Sequence, residues 1–353
     1  MQPARTDIAL RARPCSGTGQ GAAARVSIVI PTQRRPSGLA RAVRSAFRQS
    51  GVRLAELELV IVDNDETPSA EPLARALAAE APFHLVYVHE PAPGVSNARN
   101  AALAVATGGL IAFLDDDEEA FPGWLAALLR TQARFEADVV FGPVRGRAPE
   151  RVGDHRLYLE RFFSREGPSE EGLIAHYYGC GDSLLRRAAL PHPGRPFAEG
   201  RNRSGGEDDL LFAAMKRAGA RFAWAPDALV YEDPTPERLT LGYALARAFA
   251  YGQGPTRACV TGRRDVAGVA YWMSVGLGQA LVFGPIAAGK WLTRAPDRAL
   301  ALDRAVRGLG KTFWWGPFCR DFYGAPAPRP RSGPRAATAG GSPAGALAGI
   351  HGR

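Results

Sequence analysis

Three consecutive carboxylates, Asp115, Asp116 and Asp117, directly follow an apolar run at residues 110–114. Such a run is typical of a strand that is buried on both faces of a parallel sheet. Because alternate residues of an extended chain point to the same side, we expect Asp115 and Asp117 to converge while Asp116 faces elsewhere. Two convergent carboxylates suit Mg²⁺ or Mn²⁺ bridging to a diphosphate. A solvated acidic turn in front of a helix that begins near Phe121 is the alternative.

A second acidic group, Glu207, Asp208 and Asp209, stands where a helix is predicted to begin. It follows a segment rich in Gly and Arg, residues 197–206. The helix dipole favours carboxylates in a first helical turn, so capping is the simplest interpretation of this trio from the residues alone.

The elements that must position these groups alternate between strand and helix. Strands are predicted at residues 25–32, 57–62 and 83–88, with apolar residues at helical spacing between them. This alternation predicts a doubly wound, mostly parallel sheet of the α/β class. Polar residues end the strands: Pro31 and Thr32, then Asp63, Asn64 and Asp65, then the three aspartates. Since the carboxyl ends of parallel strands share one edge, we expect one nucleotide-sized site there.

Several classes of site are disfavoured by what the chain lacks. No G-x-G-x-x-G follows the first strand and no G-x-x-x-x-G-K-[ST] occurs, which argues against the usual dinucleotide and P-loop modes. The cysteines at positions 15, 180, 259 and 319 are widely spaced without a histidine cluster. That spacing argues against zinc and favours reduced thiols in a cytosolic setting.

The formal net charge is +9, and the basic residues are nearly all arginine. Arginine pairs such as Arg34-Arg35 could serve nucleic acid, anionic lipid or phosphorylated substrates. No aromatic-interleaved motif accompanies these pairs, so we expect no nucleic-acid partner.

Residues 266–289 carry no formal charge and exceed the ~20 residues that a spanning helix needs. Basic residues flank the run on both sides, which gives no orientation and also suits a membrane-surface or re-entrant hairpin. Pro285 and several glycines argue against a single straight span, and a hairpin buried on a soluble core is the other alternative. Aromatic residues beside basic ones at 311–318 fit an interfacial anchor. We therefore predict a membrane-associated helical region at 236–324.

Both ends of the chain are predicted to be disordered. Residues 1–24 are Arg- and Gly-rich without the apolar stretch of a signal peptide. Residues 325–353 are rich in Pro, Ala, Gly and Arg, a composition that cannot form a packed core.

Five segments, in this order, resemble the family 2 inverting glycosyltransferases with the GT-A fold. They are Ser27-Ile28-Val29-Ile30-Pro31-Thr32, Val62-Asp63-Asn64-Asp65, Gly94-Val95-Ser96-Asn97-Ala98-Arg99-Asn100, Leu114-Asp115-Asp116-Asp117 and Gly206-Glu207-Asp208. The resemblance covers about residues 25–235, which we expect to form one transferase domain. Within the family, the chain is most similar to bacterial exopolysaccharide transferases of the succinoglycan type.

The resemblance implies a donor site at the sheet edge. Asp63 matches a position that contacts the nucleotide, where a carboxylate can accept the imide N–H of uracil. Arg99 matches a residue near the base and phosphates, and a planar cation suits either. Asp115 and Asp117 match the metal-binding pair, with Asp117 the stronger candidate for direct metal contact. The full set of implied donor-binding residues is Pro31, Thr32, Asp63, Asp65, Arg99, Asp115 and Asp116.

On the acceptor side, Asp208 matches the general base, which removes the proton of an acceptor hydroxyl for attack at the anomeric carbon. The roles of Glu207 and Asp209 stay open. Arg247 lies on a segment that can line the acceptor side in similar proteins, although a purely structural helix is the favoured alternative. Asp182 departs from the family pattern, because an Asp there disfavours a nearby phosphate unless the carboxyl is protonated or paired.

The resemblance implies a metal-dependent, inverting hexosyltransferase that uses Mg²⁺ or Mn²⁺ and a nucleotide sugar, with a UDP-sugar favoured. The expected acceptor is a lipid-linked saccharide or a polysaccharide in exopolysaccharide biosynthesis. The expected location is the cytoplasmic face of the bacterial inner membrane, with peripheral attachment or one hydrophobic segment near 266–289. The alternatives are a non-catalytic nucleotide-sugar-binding module and a nucleotidyltransferase. A nucleotidyltransferase is expected to have a Gly-rich phosphate loop and a lysine near the first strand, and the chain has neither.

Overall fold

The computed structural model describes residues 6–10, 26–192, 194–202, 206–260 and 264–319. The strands are β1 (Thr6–Leu10), β2 (Val26–Thr32), β3 (Leu57–Asp63), β4 (His84–His89), β5 (Leu110–Phe113), β6 (Glu118–Ala120), β7 (Val139–Phe141), β8 (Val144–Gly146), β9 (Gly172–Ile174), β10 (Ser183–Arg186), β11 (Phe222–Trp224) and β12 (Val230–Glu232). The helices are α1 (Pro36–Phe47), α2 (Glu71–Glu80), α3 (Val95–Val105), α4 (Trp124–Phe135), α5 (Arg156–Phe162), α6 (Glu207–Arg217), α7 (Leu241–Val260), α8 (Val266–Leu292) and α9 (Arg298–Thr312).

A mixed sheet of nine strands, in the order β1-β4-β3-β2-β5-β10-β7-β11-β9, forms the centre of the molecule. Its middle strands β4, β3, β2 and β5 are parallel, as predicted. A small second sheet, β6-β12-β8, lies beside it. The α/β fold class with a large, mostly parallel sheet is therefore confirmed.

The apolar strand sequences are explained by helices on both faces of the sheet. In β3, Leu59 and Ile61 pack into the core under α1, α2 and α4, while Val60 and Val62 pack into the core under α3 and α6. Because both sides of the strand are covered, the sequence runs apolar instead of alternating.

The predicted disordered leader is wrong for Thr6–Leu10, which forms the antiparallel edge strand β1 beside β4. An isolated strand is hard to recognise inside a polar leader, since its stability comes from pairing with β4. The rest of the leader and the predicted disordered tail at 325–353 lie outside the described residues.

Strand direction decides which loops meet at the candidate site. The carboxyl ends of β2, β3 and β5 lie at one edge, with Thr32 opposite Asp63 in the ladder. Strand β10 runs antiparallel between β5 and β7, so its first residue, Ser183, pairs with the last residues of both neighbours, Phe113 and Phe141. The loop before β10 therefore reaches the same edge as the three aspartates.

The C-terminal part is helical, as predicted. Helix α9 packs against both α7 and α8. An apolar cluster that includes Leu159, Ala244 and Ala299 joins α5, α7 and α9 to each other. Among the described residues, α8 is the one helix long and apolar enough to cross a membrane, and 6% of its most apolar stretch is buried.

Candidate active site at the strand ends

The three aspartates after β5 occupy a turn instead of an extended segment. Glu118 N donates to Asp115 O (3.0 Å), which closes this turn before β6. Arg35 Nη1 donates to Asp116 Oδ1 (3.0 Å) and to Asp117 Oδ2 (2.7 Å). The expectation that Asp115 and Asp117 share one side away from Asp116 is wrong here, because strand alternation stops where the chain turns.

Asp117 is held by a second guanidinium group. Arg238 Nη1 donates to Asp117 Oδ2 (2.8 Å), and its guanidinium lies over the rings of Phe163 (5.2 Å) and Tyr243 (5.8 Å). Two arginines from distant parts of the chain thus converge on the carboxylate that the sequence favours for metal contact.

Asp115 faces the loop before β10 and the start of α6. A Cβ atom added to Gly181 would stand 2.7 Å from Asp115 Oδ2, so a larger residue at 181 would displace this carboxylate. Burial raises the pKa of the Asp115 carboxyl, Arg99 opposes the rise, and the charges of Asp117 and Asp208 add to it. Asp115 therefore lies in an electrostatic environment that it shares with Asp208.

Arg99 is buried at the site beside Glu207 and Asp115. It is 4% exposed, its Nη1 donates to Glu207 Oε1 (2.5 Å), and its guanidinium lies near the rings of Phe113 (5.9 Å) and Phe197 (5.5 Å). Its Nη2 is 3.6 Å from Asp115 Oδ1. Arg99 thus links α3, the aspartate turn and α6, and its contact with base and phosphates stays a prediction.

The acidic trio at the start of α6 is divided by its surroundings. Glu207, whose role the sequence left open, is buried as the partner of Arg99. Asp208 is partly exposed, and its Oδ2 accepts from the backbone N–H of Cys180 (3.2 Å). Asp209 is exposed to solvent. Of the three, Asp208 has the placement that a base beside Asp115 requires.

The predicted nucleotide contacts on β2 and β3 have mostly structural partners. Thr32 Oγ1 donates to Asp116 Oδ2 (2.7 Å). Asp63 is fully buried, and its Oδ2 accepts from Ala70 N (2.6 Å) and Tyr87 Oη (2.9 Å). Such a carboxylate anchors the β3–α2 loop through Oδ2, and direct contact of Asp63 with a nucleotide base stays a prediction.

Asp65 is engaged by Arg34, whose Nε (2.9 Å) and Nη2 (2.6 Å) both donate to it. The hydrogen bond from Arg34 lowers the pKa of the Asp65 carboxyl. Pro31, the remaining predicted residue of this group, is partly exposed within β2. These residues lie at the expected edge, and their donor contacts stay predictions.

The unusual Asp182 meets both conditions that the sequence set for it. Its Oδ1 accepts from Trp124 Nε1 (2.7 Å), and its Oδ2 lies 3.3 Å from Arg165 Nη2. Burial, opposed by Arg165 and by the Trp124 hydrogen bond, raises the pKa of the carboxyl to about 7. Arg165 also donates to the carbonyls of Gly142 and Gly181, so this group shapes the loop before β10.

Arg247, predicted on the acceptor side, lies on α7. Its Nη2 donates to Tyr251 Oη (3.0 Å) and its guanidinium stands over that ring at 4.9 Å. Tyr251 in turn stacks on Phe162 of α5 (6.2 Å between centroids). This placement favours the structural alternative that the sequence left open.

Sequence reasoning missed Arg35 and Arg238 as site residues. Arg35 was visible as part of an arginine pair after the first strand, which indicated only a basic cluster. Arg238 has no recognisable motif, and it reaches Asp117 across 121 positions of the chain. Glu232, also unforeseen, has its carboxyl pKa raised to about 8 by burial and by the charge of Asp117.

The carboxylates at this edge have the charge and chemistry of a divalent-cation site. Burial and neighbouring carboxylates raise the pKa of Glu118 well above its usual value, as they raise that of Glu232, which indicates an excess of negative charge. Within the described ranges, no three His, Cys, Asp or Glu residues are grouped to hold a metal ion. Mg²⁺ commonly takes one or two carboxylates plus substrate phosphates, so Asp115 and Asp117 fit a site that a diphosphate completes.

Comparisons with known proteins identify relatives of this chain. Residues 27–192 match the family model described as Glycosyl transferase family 2. The succinoglycan biosynthesis protein ExoM of Rhizobium meliloti (strain 1021) is 40% identical over 235 residues, which cover 65% of this chain and 73% of that protein. The succinoglycan biosynthesis protein ExoU of the same strain is 30% identical over 205 residues, which cover 56% of this chain and 58% of that protein.

Among solved structures, the mannosyltransferase PcManGT from Pyrobaculum calidifontis, in complex with GDP-Man and Mn²⁺, shares the fold. The two chains superpose with a TM-score of 0.54 at 19% identity, covering 85% of this chain and 91% of that one. The family-model match and the 40% identity to ExoM show that the chain belongs to glycosyl transferase family 2.

Proposed function

We propose that this chain transfers one sugar from a nucleotide-sugar donor to a hydroxyl of a saccharide acceptor, with inversion at the anomeric carbon and with Mg²⁺ or Mn²⁺. The observation that carries the proposal is the meeting of Asp115 and Asp117, after β5, with Asp208, at the start of α6. These groups lie about 90 positions apart in the chain, and the fold brings their charges together at one sheet edge.

On the donor side, Asp115 and Asp117 would hold the cation. A bound cation would neutralise the negative charge of the departing nucleoside diphosphate. Without a cation, Arg35 and Arg238 neutralise Asp117. PcManGT, whose structure is a complex with GDP-Man and Mn²⁺, supports a nucleotide sugar and a divalent metal here as well. A UDP-sugar is our preferred donor on the basis of the motif resemblance.

On the acceptor side, Asp208 takes the proton of the acceptor hydroxyl while that oxygen bonds to the anomeric carbon. The bond from that carbon to the diphosphate breaks in the same displacement, so the configuration inverts. Arg99 and Glu207 act as positioning residues, because their ion pair fixes the first turn of α6 beside Asp115.

The relatives from succinoglycan biosynthesis support an acceptor in exopolysaccharide synthesis, either a lipid-linked saccharide or a growing polysaccharide. The exposed apolar helix α8 supports work at a membrane, and we propose the cytoplasmic face of the inner membrane. We further propose a catalytic domain at 25–235 and a helical region at 236–324, with Arg238 of the second contributing to the site of the first.

The test is incubation of the full chain with a panel of nucleotide sugars, Mn²⁺ and a membrane lipid extract, followed by mass spectrometry of the products. We expect one sugar added to a lipid-linked saccharide, with inverted configuration by NMR. Asp208→Asn should slow transfer by ~10²–10⁴-fold while donor binding changes little. Asp209→Asn is the matched control, because this neighbour faces solvent.

A slow Asp209→Asn beside a normal Asp208→Asn would move the base by one residue. Normal rates for both would remove the base from this motif. Glu207→Gln is expected to weaken donor binding and transfer together, since Glu207 holds Arg99.

A further inference from the structure

Helix α8 exposes one uncharged side along its whole length. The large apolar residues on this side are Tyr271, Leu277, Leu281, Val282, Ile286 and Leu292. On the opposite side, Gly276 and Ala287 are buried. At about 100° per residue, these six positions fall within one half of the helix circumference, so they form one apolar side parallel to the helix axis. We call these six residues the α8 stripe.

The buried side of α8 is covered by α9, which runs antiparallel to it. A Cβ atom on Gly276 would stand 2.5 Å from Gly308 O, so the two backbones touch there. Further along, Gln279 Nε2 donates to Arg304 O (2.9 Å), and the Arg298 guanidinium lies 5.2 Å from the Trp291 ring. The contact between the helices therefore extends over most of α8.

Helix α9 carries charged side chains along this contact. Lys311 Nζ donates to Gln279 Oε1 (3.0 Å), and Gln279 is the central residue of α8. The Arg304 guanidinium lies 5.2 Å from the ring of Phe283, one turn further on. If α8 crossed a bilayer with its centre at the midplane, Lys311 and Arg304 would lie in the hydrocarbon, where such charges are strongly disfavoured.

Helix α9 is also attached to the catalytic part of the molecule. Tyr158 Oη donates to Asp303 Oδ1 (3.0 Å), and Arg298 Nη2 donates to Asp154 Oδ2 (2.7 Å). If α8 spanned a membrane, either its contact with α9 would break or α9 would pull the catalytic part of the molecule towards the membrane interior. The structure thus favours a helix that lies along the surface.

The surroundings of the stripe fit an anionic lipid surface. Between Arg264 and Cys319 the chain has seven basic and three acidic residues. Trp291 (40% exposed) lies near the C-terminal end of α8, and Trp315 (41%) follows α9, whose last turn reaches the other half of α8. Basic residues with Trp at the edge of an apolar stripe are typical of helices that lie in the membrane interface.

We propose that α8 lies in the plane of an anionic membrane surface, with the α8 stripe immersed in the lipid and α9 on the side of the catalytic domain. This inference names the partner and the geometry of the membrane attachment included in the proposed function. Its test does not depend on sugar transfer, so the two claims can fail separately.

The first experiment is flotation of the full chain with vesicles of phosphatidylcholine, with or without phosphatidylglycerol. We expect binding to increase with phosphatidylglycerol, and Leu281→Glu to lower vesicle partitioning by roughly tenfold or more, since it places a charge on the immersed side. The matched control is Leu173→Glu, because Leu173 is 53% exposed on β9 outside the helical region. Calorimetric binding of UDP with Mn²⁺ should be unchanged in both variants, which reports on the donor site and on folding.

The second experiment measures depth in the same vesicles. Single cysteines replace Tyr271, Leu281 and Leu292 in a chain whose other accessible cysteines are serine, and each carries a nitroxide whose accessibility reports its depth. An in-plane helix gives three similar, shallow depths. A deep Leu281→Cys between two shallow ends would show a span and overturn the proposal.

Two further results would also overturn it. Equal flotation of the Leu281→Glu and unsubstituted chains would remove lipid as the occupant of the stripe. A lipid-free dimer that Leu281→Glu dissociates, seen by sedimentation, would assign the stripe to a second copy of the chain.

Discussion

At Asp117, two guanidinium groups stand where a divalent cation would bind. Arg35 and Arg238 donate to the same Oδ2 atom at 2.7 and 2.8 Å. Both side chains are partly exposed, at 29% and 26%, so a cation with its diphosphate can displace them without unfolding the site. The same arginines would then be free to meet the phosphate oxygens, which a planar donor fork suits.

We expect Asp117→Asn to weaken the Mn²⁺-dependent part of UDP binding by at least about tenfold, because even outer partners of metal ligands cost that much when they are removed. Calorimetric titration of UDP with and without Mn²⁺ measures it. Asp227→Asn is the control, since the Asp227 carboxylate is 74% exposed beside Arg130 and is not among the predicted donor-binding residues. Unchanged Mn²⁺ dependence in Asp117→Asn would contradict the assignment.

The buried Asp182 should make the stability of the fold depend on pH. Its pKa is about 7 in the folded chain, against ~3.9 for an unperturbed Asp. Because the folded state binds the proton more tightly, the stability from this group falls as the pH rises from about 4 to about 7. Asp182→Asn stays neutral and can still accept from Trp124, so it removes this loss.

The free energy of unfolding of Asp182→Asn, relative to the unsubstituted chain, should therefore be larger at pH 8 than at pH 5, which means that the variant gains relative stability as the pH rises. Urea denaturation at both values without added metal measures it. Asp227→Asn serves as the exposed control, since the Asp227 side chain is 74% exposed beside Arg130. An equal difference at both pH values would show that Asp182 does not titrate in this range.

At the scale of elements, the contact between α8 and α9 depends on glycine. A Cβ on Gly276 would meet Gly308 O at 2.5 Å and the Lys311 Cβ at 2.6 Å, whereas one on Gly278 would meet open space. The two positions lie two residues apart on the same helix. An alanine at Gly278 therefore changes helix propensity alone, whereas an alanine at Gly276 also changes the packing against α9.

We expect Gly278→Ala to leave the thermal midpoint unchanged or raise it, since Ala is favoured over Gly in a helix by up to about 1 kcal/mol. Gly276→Ala should lower the midpoint, because the backbones of α8 and α9 must move apart. Thermal unfolding followed by circular dichroism compares the pair. Equal midpoints for the two variants would mean that the helices are not closely packed.

At the scale of the whole molecule, the helical region completes the catalytic domain. Arg238 reaches Asp117, and the cluster of Leu159, Phe163 and Ala299 joins α5 to α9. A division of the chain near residue 235 therefore separates groups that stabilise each other. The predicted boundary marks a change in the sequence pattern, but stabilising contacts cross it.

A chain that ends at Pro236 is expected to melt at a lower temperature and to aggregate, because it exposes Leu159 and Phe163 and leaves Asp117 with Arg35 alone. Soluble yield and thermal unfolding test this. A chain that ends at Cys319 retains all the described helices and should melt like the full chain. Equal melting of the Pro236 chain would show that the catalytic domain is independent.

The order of elements and the position of the acidic edge followed from the sequence by itself. Strands covered on both faces must be apolar throughout, as β3 is, and helices between them show the 3.6-residue spacing. Parallel strands then place their polar ends on one side. Local periodicity was therefore sufficient to predict the α/β class and to bring Asp115 and Asp117 towards one edge.

Only the tertiary structure decided the partner of each charge. Arg99 and Glu207 lie 108 positions apart, and Asp117 and Arg238 lie 121 apart. No local pattern encodes such pairs, because they depend on which chain segments the sheet topology brings together. The same reason explains Asp63, whose burial depends on Tyr87 from the next strand.

The apolar run in α8 shows the same division between sequence and structure. Its length and lack of charge, visible in the sequence, permit a span, an interfacial helix or a buried hairpin. The charges of Arg304 and Lys311, packed along one side, are brought there by the return of the chain through α9. Composition limits what a helix can do, and its neighbours in space select among those possibilities.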